Sequence, residues 1–86
     1  MSVLMYTKTY CPYCDMAKNL LATYNVIPQE INVEHDLDAF AELCKRTKMR
    51  TVPQIFINEQ LIGGYDQLYQ LHQEAQLKDL LTTQSS

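Results

Sequence analysis

The chain has no tryptophan, only two glycines and three prolines, and just three cysteines among its 86 residues. A cysteine count that low and odd does not furnish the roughly two to four bridges of a small secreted disulfide scaffold. Long apolar runs are missing as well: nothing approaches the ~18 residues of a membrane span, and the N-terminal patch Val3-Leu4-Met5-Tyr6 is soon followed by Lys8. These absences predict a cytoplasmic protein. Positive charge is scarce, seven Lys and Arg against ten Asp and Glu, so the net charge of -3 supplies no general field for nucleic acid. The Tyr and Phe residues are dispersed and lack an interleaved basic stripe, which assigns them to packing rather than base stacking. Repeats, low-complexity tracts and linkers are absent too. Residues 1-86 therefore read as a single domain, with 82-86 as a frayed tail.

What the chain does have is an ordinary globular balance, 47% hydrophobic against 20% charged, enough for one packed core. Ser2 to Thr7 is apolar and rich in strand formers, as in a strand buried on both faces. Pro12 suits the first position of a helix, which makes Cys11 its N-cap. Ala17, Leu20, Leu21 and Tyr24 give that helix a buried face, and Asn25 with Pro28 stops it, so it spans about Pro12 to Tyr24. Gln29 to Val33 alternates like an exposed strand. Asp36 caps a second helix whose core face is Leu37, Phe40, Ala41 and Cys44 and which ends near Lys48. Val52 to Ile57 reads as a third strand and Leu61-Ile62 as a short fourth, joined by a hairpin-sized loop. Gly63 and Gly64, the only glycines, precede a helix marked by Leu68, Leu71 and Ala75, and Leu77, Leu80 and Leu81 continue as a last helical segment. The order βαβαββαα predicts one α/β unit.

Cys11-Pro12-Tyr13-Cys14 carries the chemistry. Positions three apart in a first helical turn share a face, so the two sulfurs can close a disulfide with little backbone movement. Cys11, at the helix N-terminus and near Lys8, has unpaired N-H groups and the positive end of the macrodipole to favour its thiolate, and is the expected nucleophile. Cys14, one turn inside, is the expected resolving thiol. A structural zinc site normally needs four ligands, and one CxxC with scattered Cys44, His35 and His72 has no ligand spacing. No metal is expected. Cys44 reads as a small buried hydrophobe, and the two histidines as solvated or packing residues.

Lys8-Thr9-Tyr10-Cys11-Pro12-Tyr13-Cys14, Thr51-Val52-Pro53-Gln54-Ile55-Phe56-Ile57 and Gly63-Gly64-Tyr65-Asp66 resemble the three signature segments of dithiol glutaredoxins of the small Cys-Pro-Tyr-Cys type. The resemblance covers nearly the whole chain. It implies a thioredoxin-like fold, with a mixed four-stranded sheet in the order 2-1-3-4 flanked by helices, and a redox-active disulfide between Cys11 and Cys14. It also implies glutathione as reductant and co-substrate, with no tightly bound cofactor. Val52-Pro53 then corresponds to a cis-proline corner whose Val52 backbone pairs with the extended tripeptide. Lys8 and Arg50 would hold the glycine carboxylate, with Thr51 beside them. Gly64, Tyr65 and Asp66 would receive the γ-glutamyl end, Asp66 facing its ammonium, and Tyr13 would pack along the substrate. Plainer roles stand beside these: Asp66 as a helix cap, Gly63 and Gly64 as turn residues, and the run Lys45, Arg46, Lys48, Arg50 as charges complementing a helix C-terminus.

The resemblance thus implies a monomeric glutathione-dependent thiol-disulfide oxidoreductase that reduces protein disulfides and protein-glutathione mixed disulfides. Ribonucleotide reductase is a family-level partner. A thioredoxin-type reductase shares the chemistry but is opposed by the absence of Trp, the Pro-Tyr pair and Gly63-Gly64-Tyr65-Asp66. A glutathione-ligated iron-sulfur carrier is opposed by Pro12 and Cys14. Tyr65 stands where many relatives carry an extra cysteine, and Tyr10 is bulkier than the small residues often found before the nucleophile.

Overall fold

The central strand of the sheet, β1 (Val3–Thr7), owes its place to its alternation: Val3, Met5 and Thr7 are buried on one face, while Leu4 and Tyr6 are half-buried on the other. The computed structural model describes residues 2-82. After β1 come α1 (Pro12–Ala22), β2 (Gln29–Asn32), α2 (Leu37–Thr47), β3 (Gln54–Ile57), β4 (Gln60–Gly63), α3 (Tyr65–Gln73) and α4 (Leu77–Thr82). The sheet order is β2-β1-β3-β4. β2 runs parallel to β1, whereas β3 is antiparallel to both β1 and β4. This is the mixed sheet that the family resemblance implies.

Most of the core lies on one side of the sheet. Met5, Ile55 and Ile57 meet Ala17 and Leu21 of α1, Leu68 of α3, and Leu77 and Leu81 of α4. Fully burying each large aliphatic side chain contributes roughly 1.5–3 kcal/mol, so this layer holds the first and third helices against β1. The opposite face is thinner. There Tyr6 and Phe56 meet edge to face, ring centroids 6.0 Å apart, and α2 contributes only Leu43 as a buried residue. The predicted core face of α2 is therefore corrected: Leu37 is 76% exposed, Ala41 is exposed, and Phe40 and Cys44 are half-buried. The residues keep helical spacing, but Leu43, outside that set, is the one α2 buries.

Other differences come from local chain chemistry. α1 stops at Ala22, two residues before the expected Tyr24. Asn25 takes a left-handed φ of 61°, Asn25 N–H bonds Ala22 O at 2.9 Å and Val26 N–H bonds Leu21 O at 3.1 Å, the paired bonds of a Schellman ending. The same device ends α3 and overturns the placement of Ala75 on its core face. Ala75 has φ 59° and is exposed, while Gln76 N–H returns to Leu71 O at 2.9 Å. β3 begins at Gln54 rather than Val52, since a proline at 53 cannot donate to a ladder. Asn58 and Glu59, with φ 51° and 68°, form the two-residue turn to β4. Thr82, where the expected frayed tail begins, is the last residue of α4 and donates its hydroxyl to Lys78 O at 2.9 Å; residues 83-86 lie outside the described residues.

Truncating Leu21, fully buried at 0% exposure, to alanine is expected to cost about 3 kcal/mol. Leu37→Ala is expected to change stability by less than about 0.5 kcal/mol. Urea midpoints with unchanged slopes check both, and a large loss for Leu37→Ala would contradict the orientation of α2.

Candidate active site

The turn from β1 into α1 presents two sulfurs. Cys11 is the N-cap, with extended backbone (φ -147°, ψ 93°), and Pro12 opens the helix. A cap residue ordinarily accepts a first-turn N–H through a side-chain oxygen. Here Cys11 Sγ takes that role, accepting Cys14 N–H at 3.0 Å. Cys11 and Cys14 are joined in a disulfide with their Cα atoms 5.1 Å apart. Their exposure differs as their places in the turn require: Cys11 is half-buried and Cys14 is 2% exposed. Glu34 Oε1 accepts Thr9 N–H at 3.2 Å, which ties the loop before Cys11 to the segment after β2.

Electrostatics at this end of α1 favour an anion on Cys11 once the disulfide is opened. The N–H already aimed at Cys11 Sγ becomes a charge-assisted donor to a thiolate, and the helix N-terminus adds its positive end. Asp15 in the same turn opposes this. Its opposition is muted, because Asp15 is well exposed and lies 3.5 Å from Lys18 Nζ, so solvent and a cation both screen it.

Beside the disulfide runs an open groove of about 450 Å³, lined by Tyr13, Met49, Thr51, Val52, Pro53, Gly64, Tyr65, Asp66 and Gln67. The Val52-Pro53 peptide is cis, as the resemblance implies. Three distant chain segments meet here because the N-termini of α1 and α3 and the start of β3 all reach the same end of the sheet. Tyr13 and Tyr65 stand with ring centroids 6.2 Å apart, and Tyr65 stacks on Tyr69 at 5.8 Å. Gly64 is the cap of α3, not Asp66, which lies exposed in the first turn. Gln67 Oε1 accepts Gly64 N–H at 2.8 Å, which leaves the N–H groups of Tyr65, Asp66 and Gln67 as first-turn donors without an intrahelical partner.

Two of the expected ligand residues lie elsewhere. Lys8 Nζ sits 4.4 Å above the centroid of the Phe40 ring, and Arg50 lines a separate groove with Phe40, Ala41, Cys44, Lys45 and Lys48. Arg50 nevertheless adjoins the main groove through its neighbours Met49 and Thr51. Cys44, expected to be buried, is half-buried. His72 Nδ1 pairs with Tyr24 OH at 2.5 Å, a packing role, and His35 is exposed. Among the described residues no three His, Cys, Asp or Glu side chains form a potential metal site. Sequence reasoning missed Gln67 and Met49. Gln three residues after the cap Gly64 is the returning half of a capping box, which could have found the first; Met49 has no such signal. A larger groove of about 630 Å³ between β4, α3 and α4 has no thiol in its wall, so size alone does not select the reactive site.

Comparison with known proteins agrees with this geometry. The Glutaredoxin family model matches residues 3–62. A glutaredoxin of Neisseria meningitidis serogroup A is 48% identical over 81 residues, covering 93% of this chain and 95% of the relative. Glutaredoxin 3 of Escherichia coli K12 is 45% identical over 80 residues, covering 93% and 96%. Among solved structures, the buckwheat glutaredoxin-glutathione complex superimposes with a TM-score of 0.86 at 34% identity, over 93% of this chain and 76% of that one. The solution structure of Brucella melitensis glutaredoxin gives 0.85 at 41% identity, over 96% and 90%. With paired sulfurs at a helix N-terminus, a 2-1-3-4 sheet and relatives that span almost its whole described length, the chain belongs to the glutaredoxin family of thiol-disulfide oxidoreductases.

Proposed function

We propose that the protein reduces protein disulfides and protein-glutathione mixed disulfides with glutathione as the reductant, acting as a monomeric single domain, residues 1-86, in the cytoplasm. The observation that carries this reading is the Cys14 N–H held 3.0 Å from Cys11 Sγ at the end of a groove that can seat a short extended peptide. The glutathione complex of the buckwheat relative supports the choice of thiol. Glutathionylated or disulfide-bearing proteins are the oxidised partners, with ribonucleotide reductase among them on family grounds.

In the first step the Cys11 thiolate attacks the glutathione sulfur of a mixed disulfide. The protein thiolate leaves and takes a proton from solvent, and Cys11 becomes glutathionylated. A second glutathione thiolate then attacks that glutathione sulfur, which forms glutathione disulfide and restores the Cys11 thiolate. Alternatively Cys14, as a thiolate, attacks Cys11 Sγ, releases glutathione and forms the Cys11–Cys14 disulfide seen in the structure. An N–H donor that stabilises the Cys11 thiolate also makes Cys11 a better leaving group in the second step. Thiols alone carry the electrons, and no tightly bound cofactor takes part.

The tripeptide would lie along Thr51, Val52 and Pro53, with its backbone paired to Val52 as an added strand. Its γ-glutamyl carboxylate would meet the Tyr65 and Asp66 N–H groups at the α3 N-terminus, and its ammonium the Asp66 carboxylate. Gly64 permits close approach, and Tyr13 flanks the sulfur. Lys8 and Arg50 would take the glycine carboxylate. For Lys8 this means leaving Phe40, a cation–π contact worth about 0.5–1 kcal/mol at an exposed site, which a carboxylate at the same place offsets.

Cys11→Ser is expected to abolish turnover of both substrate kinds, and Cys14→Ser to lose protein-disulfide reduction while keeping mixed-disulfide reduction. A coupled assay with glutathione as sole reductant reads both, and full activity in Cys11→Ser would falsify the assignment. Asp66→Asn is expected to raise KM for a glutathionylated substrate about three- to tenfold with little change in kcat, the mark of a lost binding contact. An unchanged KM in steady-state kinetics would remove Asp66 from the site.

A further inference from the structure

Positive charge is unevenly placed on this acidic chain. Lys45, Lys48 and Arg50, all exposed, line an open groove of about 550 Å³ whose apolar wall includes Phe40 and Ala41. Lys8 Nζ stands over the same Phe40 ring, 4.4 Å from its centroid. These four are more than half of the seven Lys and Arg residues in a chain of net charge -3. None of the residues lining the groove is Asp or Glu. Among the described residues no ion pair joins any of the four cations to an acid; the ion pairs seen, Lys18 with Asp15 and with Glu30, lie on α1 and β2.

Local needs account for only part of this charge. Lys45, in the last turn of α2, complements the negative end of the helix dipole. Lys8 and Arg50 come from outside α2, and the proposed function gives those two a single glycine carboxylate to hold. Lys45 and Lys48 are then left without a counter-charge even when glutathione is bound. Between the cations the surface is apolar: Phe40 is half-buried and Ala41 exposed, and Leu37, one turn earlier and 76% exposed, extends the strip. The groove also lies within reach of the reacting sulfur. Lys8 is three residues before Cys11, at most about 11 Å of extended chain, and Arg50 is followed directly by Thr51 and Val52 in the wall of the groove beside the disulfide.

We propose that this cationic groove docks the protein half of the substrate, through an acidic segment within about six residues of the reacting cysteine. Asp and Glu side chains of that segment pair with Lys45 and Lys48 at the rim, and an apolar side chain between them lies on Phe40 and Ala41. The inference rests on the proposed function, which supplies the mixed disulfide, and adds which oxidised proteins are favoured. A local positive field speeds encounter with an acidic partner. The rest of the chain, with ten acids and three cations, repels the same segment, so the partner arrives in one orientation.

Two glutathionylated peptides of equal length test this. One carries Asp and Glu within about six residues of its single cysteine, and the other has Asn and Gln in their places. Because the glutathionyl half is common to both, the ratio of their kcat/KM values reads the protein half alone. At low salt the acidic peptide is expected to be favoured about tenfold. The preference is expected to fall towards unity at high salt and in a Lys45→Gln/Lys48→Asn chain, asparagine being tolerant of the left-handed φ of 64° at position 48. Equal kcat/KM at low salt, or a preference that salt leaves untouched, would overturn the proposal from the wild-type chain alone, whether or not the variant folds; a preference retained by the folded variant overturns it too. The acidic peptide with serine in place of its cysteine is also titrated into the wild-type chain and followed by amide NMR. Shifts at Phe40, Ala41, Lys45 and Lys48 are expected, and their absence overturns the proposal equally. Turnover of both peptides with neither preference nor shifts sinks this inference alone, whereas shifts along α2 without turnover of either peptide sink the proposed function alone.

Discussion

One hydrogen bond, from Cys14 N–H to Cys11 Sγ at 3.0 Å, joins folding to chemistry. As a helix cap it satisfies a first-turn donor that would otherwise lack a partner. As part of the reactive site it places a fixed dipole on the sulfur that must carry negative charge. Both uses require α1 to start at one residue, and Pro12 enforces that start. They also require α1 to stay fixed against the sheet, which Ala17 and Leu21 achieve by packing under Met5 and Ile55. The inner layer of the core therefore sets the position of a sulfur that lies at the surface.

The groove beside the sulfurs depends on a different constraint, the close approach of β4's end to the start of α3. Gly63 has φ 125°, and a Cβ there would lie 2.9 Å from Gln67 Oε1. Only glycine lets the Gln67 side chain fold back onto Gly64 N–H. With that donor satisfied within the protein, Tyr65, Asp66 and Gln67, whose N–H groups precede the first intrahelical bond, line the groove. On the other wall, Pro53 removes a ladder donor and delays β3 to Gln54, which leaves the Val52 backbone outside the sheet. A turn residue and a strand breaker thus leave polar backbone at the walls of this groove.

Much of this was legible in the sequence, and the parts that were not share a cause. Periodicity located all the elements, and Cys11-Pro12 marked the beginning of α1 to the residue, because N-cap and N1 preferences are local. The ends of α1 and α3 were misplaced because Schellman closures at Asn25 and Ala75 are backbone events. Asn25 advertises its closure weakly, and Ala75 not at all. The face of α2 was misread for a different reason. Leu37, Phe40, Ala41 and Cys44 do form a stripe, but a stripe says which residues share a side, not what covers that side, and α2 buries Leu43 instead. The candidate site followed the same division. Tyr13, Thr51, Val52, Pro53, Gly64, Tyr65 and Asp66, named from motifs, line one groove, whereas the resting place of Lys8 over Phe40 depends on long-range packing that no local pattern records.

That rest position ties the two grooves together. Lys8 leaves β1 just before the reactive loop, yet it lies against α2, and Arg50 leads from the cationic groove directly into the wall of the other. The two thiols beside these grooves occupy opposite electrostatic ends of helices. Cys11 caps an N-terminus, where the dipole and an aimed N–H both favour its thiolate with no help from side-chain charge. Cys44 sits in the last turn of α2, in the wall of the groove that Lys45, Lys48 and Arg50 also line. Side-chain charges on a surface are screened by salt and solvent far more than a fixed N–H at 3.0 Å. The consequence is that the reactivity of Cys11 is set by a backbone donor that core packing holds in place, not by the surface charges around it.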